Sequence, residues 1–212
     1  MSPTDRESDL DALLETYGLK DERRTGWQLR DVSDPESVAA HSWGVAHLCL
    51  CFADRAEGVD PDRAVRLAVL HDAAEARTGD AATRADPEAE TPDPEEKERR
   101  ERAAIADLLG PFSADLRDAW EEYEARETET ARFVKDMDLL DMCLQAVVYE
   151  RDGRYDPDAE NPHFGAYDRL DEFFATAEPR LRTSLGRDLF EAVRARYEAA
   201  KAERDEADGE RS

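Results

Sequence analysis

Apolar residues recur along this chain of 212 residues at the three-and-four spacing of an α-helix, and no stretch alternates like a strand for more than a few residues. The strongest instance is 129–151, which carries Phe133, Val134, Met137, Leu139, Leu140, Met142, Leu144, Val147 and Val148. Such a pattern confines the chain to an all-α fold. Its length suits one well-packed domain, expected over 1–203. Residues 204–212 lack apolar partners and are expected to form a disordered tail.

The spacing predicts helices over 8–18 (Leu10, Leu13, Leu14, Tyr17), 35–57 with Ser33 or Asp34 as cap, and from Pro61 through Leu70 into His71-Asp72. Further helices are predicted over 95–109, 112–127, 129–151, 165–177 and 179–203. Between Gly79 and Pro94 the apolar residues give way to Asp, Glu, Thr and proline, which reads as a long loop beside His71-Asp72, either a lid or an acidic solvated excursion.

His71-Asp72 is the most informative pair in the chain, because two good metal ligands adjoin each other at the end of an apolar helical run. His41 lies one predicted helix earlier. Lys135-Asp136-Met137-Asp138-Leu139-Leu140-Asp141 then brings three acids into an otherwise apolar helix, so at least one must face inward, where it needs a cation or a hydrogen-bond donor. Together His41, His71, Asp72 and Asp138 make a set of two imidazoles and two carboxylates. That donor set suits Mn, Co, Fe, Ni or Zn better than Ca or Mg. Glu75 follows His71 by four residues and shares its face if the helix continues, which makes it a general base or water-orienting group.

The order His41, His71-Asp72, Asp138 resembles the signature of the HD-domain superfamily of metal-dependent phosphohydrolases. Pro35-Glu36-Ser37-Val38-Ala39-Ala40-His41-Ser42, His71-Asp72-Ala73-Ala74-Glu75 through Thr78-Gly79-Asp80, and Phe133-Val134-Lys135-Asp136-Met137-Asp138 are similar to its 5'-deoxynucleotidase branch, the YfbR-like and HD-domain-containing-2-like proteins. Arg24-Thr25-Gly26-Trp27 and Leu144-Gln145-Ala146 with Tyr149-Glu150 add to the likeness, which covers about residues 8–175. Many relatives carry an acid where this chain has Ala40, so a partner for His41 is expected to be missing.

The resemblance implies a single HD domain, one divalent metal ion per chain, and hydrolysis of deoxyribonucleoside 5'-monophosphates to deoxynucleoside and phosphate. It implies Asp80 as a second catalytic acid and Trp27 as a gate for the 2'-deoxy sugar. Arg24, Arg30 and Lys135 are the candidates for holding the phosphate. Other HD phosphohydrolase substrates, a nucleoside triphosphate or a cyclic nucleotide, and a non-catalytic nucleotide-binding role are the alternatives. His47 and His163 read as structural, and with four histidines in all the chain lacks the extra ligands of dinuclear HD enzymes. Apolar faces on 129–151 and 179–203 exceed what one core needs, and the family commonly dimerises, so a homodimer is expected.

The formal charge is −24, from 53 acidic against 29 basic residues, and only Lys20, Lys97, Lys135 and Lys201 are lysines. Such a surface repels nucleic-acid polymers and anionic membranes. Cys49, Cys51 and Cys143 read as reduced core residues. The polar start at Asp5-Arg6-Glu7 gives no secretory signal, and no apolar run has transmembrane length, so the protein is expected in the cytoplasm. An acid-rich, lysine-poor surface suits a high-salt cytoplasm, pointing to a halophilic, haloarchaeal source. Screening should relieve its self-repulsion, so the melting temperature is expected to rise from low to molar KCl. A melting curve unchanged by salt would count against that reading.

Overall fold

Most of the long helices start where a short polar side chain takes the first free N–H groups. In the computed structural model, which describes residues 3–86, 88, 89, 91 and 93–209, the chain runs through α1 (Pro3–Thr16), α2 (Thr25–Leu29), α3 (Val38–Phe52), α4 (Pro61–Leu70), α5 (Glu75–Thr78), α6 (Pro94–Leu108), α7 (Ala114–Ala125), α8 (Glu129–Arg151), α9 (Asp171–Ala177) and α10 (Ser184–Gly209). Short 3-10 turns lie at Tyr17–Lys20, Ala53–Arg55 and Glu178–Arg180. Asp60 caps α4 through Arg63 N, with Pro61 in its first turn, and Thr128 caps α8 through Ala131 N. Among the described residues the one β feature is an isolated bridge between Arg23 and Ser37. The fold is all-α, as the periodicity requires.

Several boundaries differ from those expected. Ser37, not Ser33 or Asp34, caps α3 by accepting from Ala40 N, and Asp34 sits instead at φ 50° in the preceding turn. The helix expected from 165 starts at Asp171, because 156–170 is spent on turns. α10 runs on to Gly209, so 204–209 is helical rather than disordered, and 210–212 lies outside the described residues. Arg204 explains part of that extension. Its guanidinium donates to Glu150 Oε1 at 3.3 Å and to the Tyr155 carbonyl at 2.6 Å, so polar contacts hold a turn that has few apolar ones.

The centre of the bundle is α8, which packs against α3, α4, α7, α9 and α10. Phe133, Val134, Met137, Leu140 and Cys143 of α8 are buried together with Val45 and Cys49 of α3, Leu67 of α4, and Phe190 and Tyr197 of α10. A smaller cluster under α6 joins Ala73, Ile105, Leu108 and Trp120. The apolar surplus expected on 129–151 and 179–203 is therefore largely consumed, since those two helices cover each other. Exposed large apolar residues lie instead mainly on α1 and α3, at Leu10, Leu13, Leu14, Trp43 and Leu50. Cys51 is exposed as well, contrary to its reading as core, whereas Cys49 and Cys143 are buried. No helix among the described residues is long and apolar enough to cross a membrane.

Asp136 is wholly buried, and its position decides how α10 joins α8. Its carboxylate accepts from Arg182 N at 2.9 Å, Thr183 N at 2.8 Å and Thr183 Oγ1 at 2.6 Å. Three donors satisfy a charge that would otherwise be costly to bury. Gly186 lies against the same carboxyl, so a methyl group there would meet Asp136 Cγ at 2.8 Å and collide with Oδ2. Overpacking of this kind costs about 1–3 kcal/mol, so Gly186→Ala is expected to lower the melting temperature by roughly 3–10 °C. Gly165→Ala, with no atom within 4 Å of the added methyl, should change it little in the same calorimetric scan.

Candidate metal centre

Helix α4 stops at Leu70, and His71 to Ala74 form a turn before α5. Trp120 Nε1 of α7 donates to the His71 carbonyl at 3.2 Å, and His71 Nδ1 donates to the Ala68 carbonyl at 2.7 Å. The second contact fixes the ring, because only a protonated Nδ1 can serve a carbonyl, so Nε2 of the neutral ring carries a lone pair.

His41 arrives from the buried side of α3 and is held in the same way. Its Nδ1 donates to Asp141 Oδ2 at 2.7 Å, leaving Nε2 to face His71 Nε2 across 3.3 Å. Gly44 makes this approach feasible, since a Cβ there would collide with Asp141 Oδ1. The partner expected to be missing with Ala40 is thus supplied from another helix, by Asp141. This carboxylate–imidazole pairing is the usual support of a metal-binding histidine.

Two carboxylates complete the centre. Asp138 divides its oxygens: Oδ2 accepts from Tyr123 Oη and Lys135 Nζ, each at 2.7 Å, while Oδ1 lies 3.1 Å from His41 Nε2. Asp72 Oδ2 lies 3.0 Å from His71 Nε2 and 3.7 Å from His41 Nε2. Two imidazole lone pairs and two carboxylate oxygens thus converge, a repulsive arrangement that only a cation, a proton or a divalent metal ion, relieves. Burial and the Arg24 charge act against a protonated His41, yet the hydrogen bonds to Asp138 and Asp141 lift it from 6.5 to about 10. Burial would raise Asp72 too, but His71 and Arg24 hold it well below the usual carboxylate range. The mixed imidazole and carboxylate donors fit a borderline divalent ion.

Asp72 and Asp138 border a cavity of about 170 Å³ that Arg24, Trp27, Glu75, Asp80 and Lys135 also line. Glu75 reaches it from the first position of the short helix α5 rather than from a continuation of α4, and its Oε2 is buried without a protein hydrogen-bond partner. Burial, followed by the charges of Asp72 and Asp80, pushes Glu75 well above its ordinary value. Arg24 projects inward, donating through Nη1 to Asp80 Oδ1 at 2.8 Å and Asp72 Oδ2 at 3.2 Å. Asp80 Oδ2 also accepts from Thr25 N at 2.6 Å, so Asp80 ties the start of α2 to the loop. Trp27 is 2 % exposed, stacks on Phe173 with ring centroids 3.9 Å apart, and donates from Nε1 to Glu36 Oε1 at 2.9 Å. It is a packed tryptophan and a cavity wall at once.

One candidate falls outside the site. Arg30 is buried away from the cavity, with Nε donating to the Arg169 carbonyl at 2.8 Å and its guanidinium 4.7 Å from the Tyr155 ring centroid. It braces the 150–170 region and does not line the cavity. His47 and His163 are exposed, the former stacked on Trp43. Lys97, Arg126 and Arg180 line the cavity although nothing singled them out in the sequence. They lie on α6, after α7 and after α9, far apart along the chain, and no local pattern links them.

The loop from Gly79 is fastened rather than loose where it borders the cavity. Arg84 pairs with buried Glu172 of α9 through Nε at 2.8 Å and Nη2 at 2.7 Å, and Ala85 N and Asp86 N donate to the same carboxylate at 3.0 and 3.2 Å. Ala81, Ala82 and Thr83, between this clamp and Asp80, form one wall.

A model of the HD-domain family matches residues 17–178. The chain is 40 % identical to the mouse 5'-deoxynucleotidase HDDC2 over 136 residues, 62 % of this chain and 65 % of that protein. The zebrafish 5'-deoxynucleotidase HDDC2 is 34 % identical over 193 residues, 88 % of each chain. The chain therefore spans less than two thirds of the length of the mouse relative but most of the zebrafish one. Among solved structures, the PH0347 protein of Pyrococcus horikoshii superposes with a TM-score of 0.67 at 28 % identity, covering 89 % of this chain and 98 % of that one. A protein of Magnetospirillum magnetotacticum described as a predicted metal-dependent phosphohydrolase superposes with a TM-score of 0.62 at 28 % identity, covering 92 % and 91 %. With the family model matched over most of its length and its four signature residues gathered at one centre, the chain belongs to the HD-domain family, in the branch of the HDDC2 proteins.

Proposed function

We propose that the protein is a metal-dependent phosphomonoesterase that hydrolyses deoxyribonucleoside 5'-monophosphates to deoxynucleoside and phosphate. The observation that carries this reading is the convergence of His41, His71, Asp72 and Asp138 beside Glu75, whose buried Oε2 has no protein partner. The names of the HDDC2 relatives support the substrate class. One divalent ion, Mn, Co, Zn, Fe or Ni, would be held by those four residues. Such an ion makes phosphorus more electrophilic and water more acidic.

The remaining work falls to the chain itself. Glu75, raised well above its ordinary value by burial and by its acidic neighbours, accepts the proton of the attacking water. Asp80 keeps Arg24 against Asp72 and borders the space for the sugar, where it can serve the leaving 5'-oxygen. Trp27 on Phe173 offers the flat, rigid face against which a 2'-hydroxyl would be refused. Lys135 is occupied in holding Asp138 and tunes that ligand.

We also place the protein in the cytoplasm, which the three free cysteines suit, and propose a homodimer built on the exposed apolar residues of α1 and α3. Light scattering should give twice the 23.9 kDa chain mass.

Activity is tested with a panel of dNMPs, NMPs, dNTPs and cyclic nucleotides, each run with Mn, Co, Mg and Zn in molar KCl. The dNMPs are expected to be hydrolysed fastest, and preference for any other class overturns the assignment. Glu75→Ala is expected to lower kcat by roughly 10²–10⁴-fold with metal content unchanged. Asp72→Ala should lose both metal and activity, as read by elemental analysis beside phosphate release. Full metal-dependent activity in either variant contradicts the mechanism.

A further inference from the structure

Five cationic side chains line the cavity, namely Arg24, Lys97, Arg126, Lys135 and Arg180, in a chain with far more acids than bases. Three of them already have carboxylates. Arg24 lies on Asp72 and Asp80, Lys135 on Asp138, and Lys97 on Glu101 at 3.3 Å. Arg126 and Arg180 make no ion pair among the described residues. There, the only side-chain hydrogen bond from either runs from Arg180 to the Thr176 carbonyl in its own turn.

Their surroundings relieve this positive charge only in part. Burial and the neighbouring Arg126 both act against the Arg180 cation and lower its pKa. Glu124 is the acid in the field of Arg126, but burial raises its pKa and it forms no ion pair there. Arg126 ends α7 at φ 54°, a left-handed position where glycine is the usual residue. A bulky cation is therefore kept in a conformation disfavoured for it, at the rim of the cavity, beside a like charge. An anion is the ligand that such a pair lacks.

We propose that Arg126 and Arg180 are the phosphate-capturing pair of this cavity, taking the non-bridging oxygens of the substrate's phosphate dianion while Arg24 and Lys135 stay on the metal-ligating carboxylates. This rests on the reading of the cavity as a phosphomonoester site. It moves the phosphate grip from Arg24, Arg30 and Lys135, the candidates in the sequence, to the ends of α7 and α9. Guanidinium forks suit a phosphate because each can donate two parallel hydrogen bonds to it.

The test uses the full chain, with metal bound, and inorganic phosphate as the probe in titration calorimetry. Arg126→Gln and Arg180→Gln are each expected to weaken phosphate binding about tenfold, with metal content unchanged. Lysine at either position should recover part of the loss, and Arg117→Gln, an exposed change on α7 outside the cavity, should leave phosphate affinity as it was. On dAMP the glutamine variants should raise KM about tenfold while kcat falls less than threefold. Unaltered phosphate affinity in both glutamine variants overturns the proposal, as does a parent protein that binds no phosphate. Arginine-dependent phosphate binding without dNMP hydrolysis would sink the substrate assignment and leave the capture pair standing.

Discussion

Everything in this fold depends on three carboxylates carried inward by one central helix. Asp136, Asp138 and Asp141 lie within two turns of α8, and none could be buried there without a dedicated partner. Their partners lie on three other elements: Asp136 on the segment leading into α10, Asp138 on His41 of α3 and Tyr123 of α7, Asp141 on the far nitrogen of His41. The charges that are expensive to bury thus set the placement of α3, α7 and α10 around α8. Glycines 44 and 186 are the backbone's concession, because a side chain at either would drive a carboxylate off its partner.

Much of this is legible in the amino-acid sequence. Helical periodicity gives the class and places most helices, and His41, His71, Asp72 and Asp138 lie close together in the fold. The division of labour among the three acids is not readable there, since it depends on which neighbours α8 meets. Asp141 is one more acid on an amphipathic helix unless His41 is known to face it. Arg30 illustrates the opposite error: its place in the connector near Trp27 makes it a phosphate candidate, but burial against Tyr155 turns it toward a carbonyl. The length of α10 escapes an apolar count for a related reason, as Arg204 stabilises its last turns through polar contacts that such a count ignores.

The overall charge and the cavity follow different electrostatic rules. Across the surface, acids outnumber bases and most arginines are drawn into ion pairs. Around the cavity Arg24 and Lys135 lie on carboxylates, while Arg126 and Arg180 make no ion pair among the described residues. A dianionic ligand approaching so acidic a protein feels repulsion until it reaches that rim.

The clamp of Arg84 on Glu172 has one more consequence. Because residues 80–86 are fastened both to the start of α2 and to α9, the wall beside Trp27 is in place before anything binds. Recognition then incurs little ordering entropy on the protein side. Under the proposed function, a competitor sugar would be turned away by collision with a standing surface rather than by failure to trigger closure. Discrimination of that kind is a property of the empty cavity, and it persists however briefly the competitor stays.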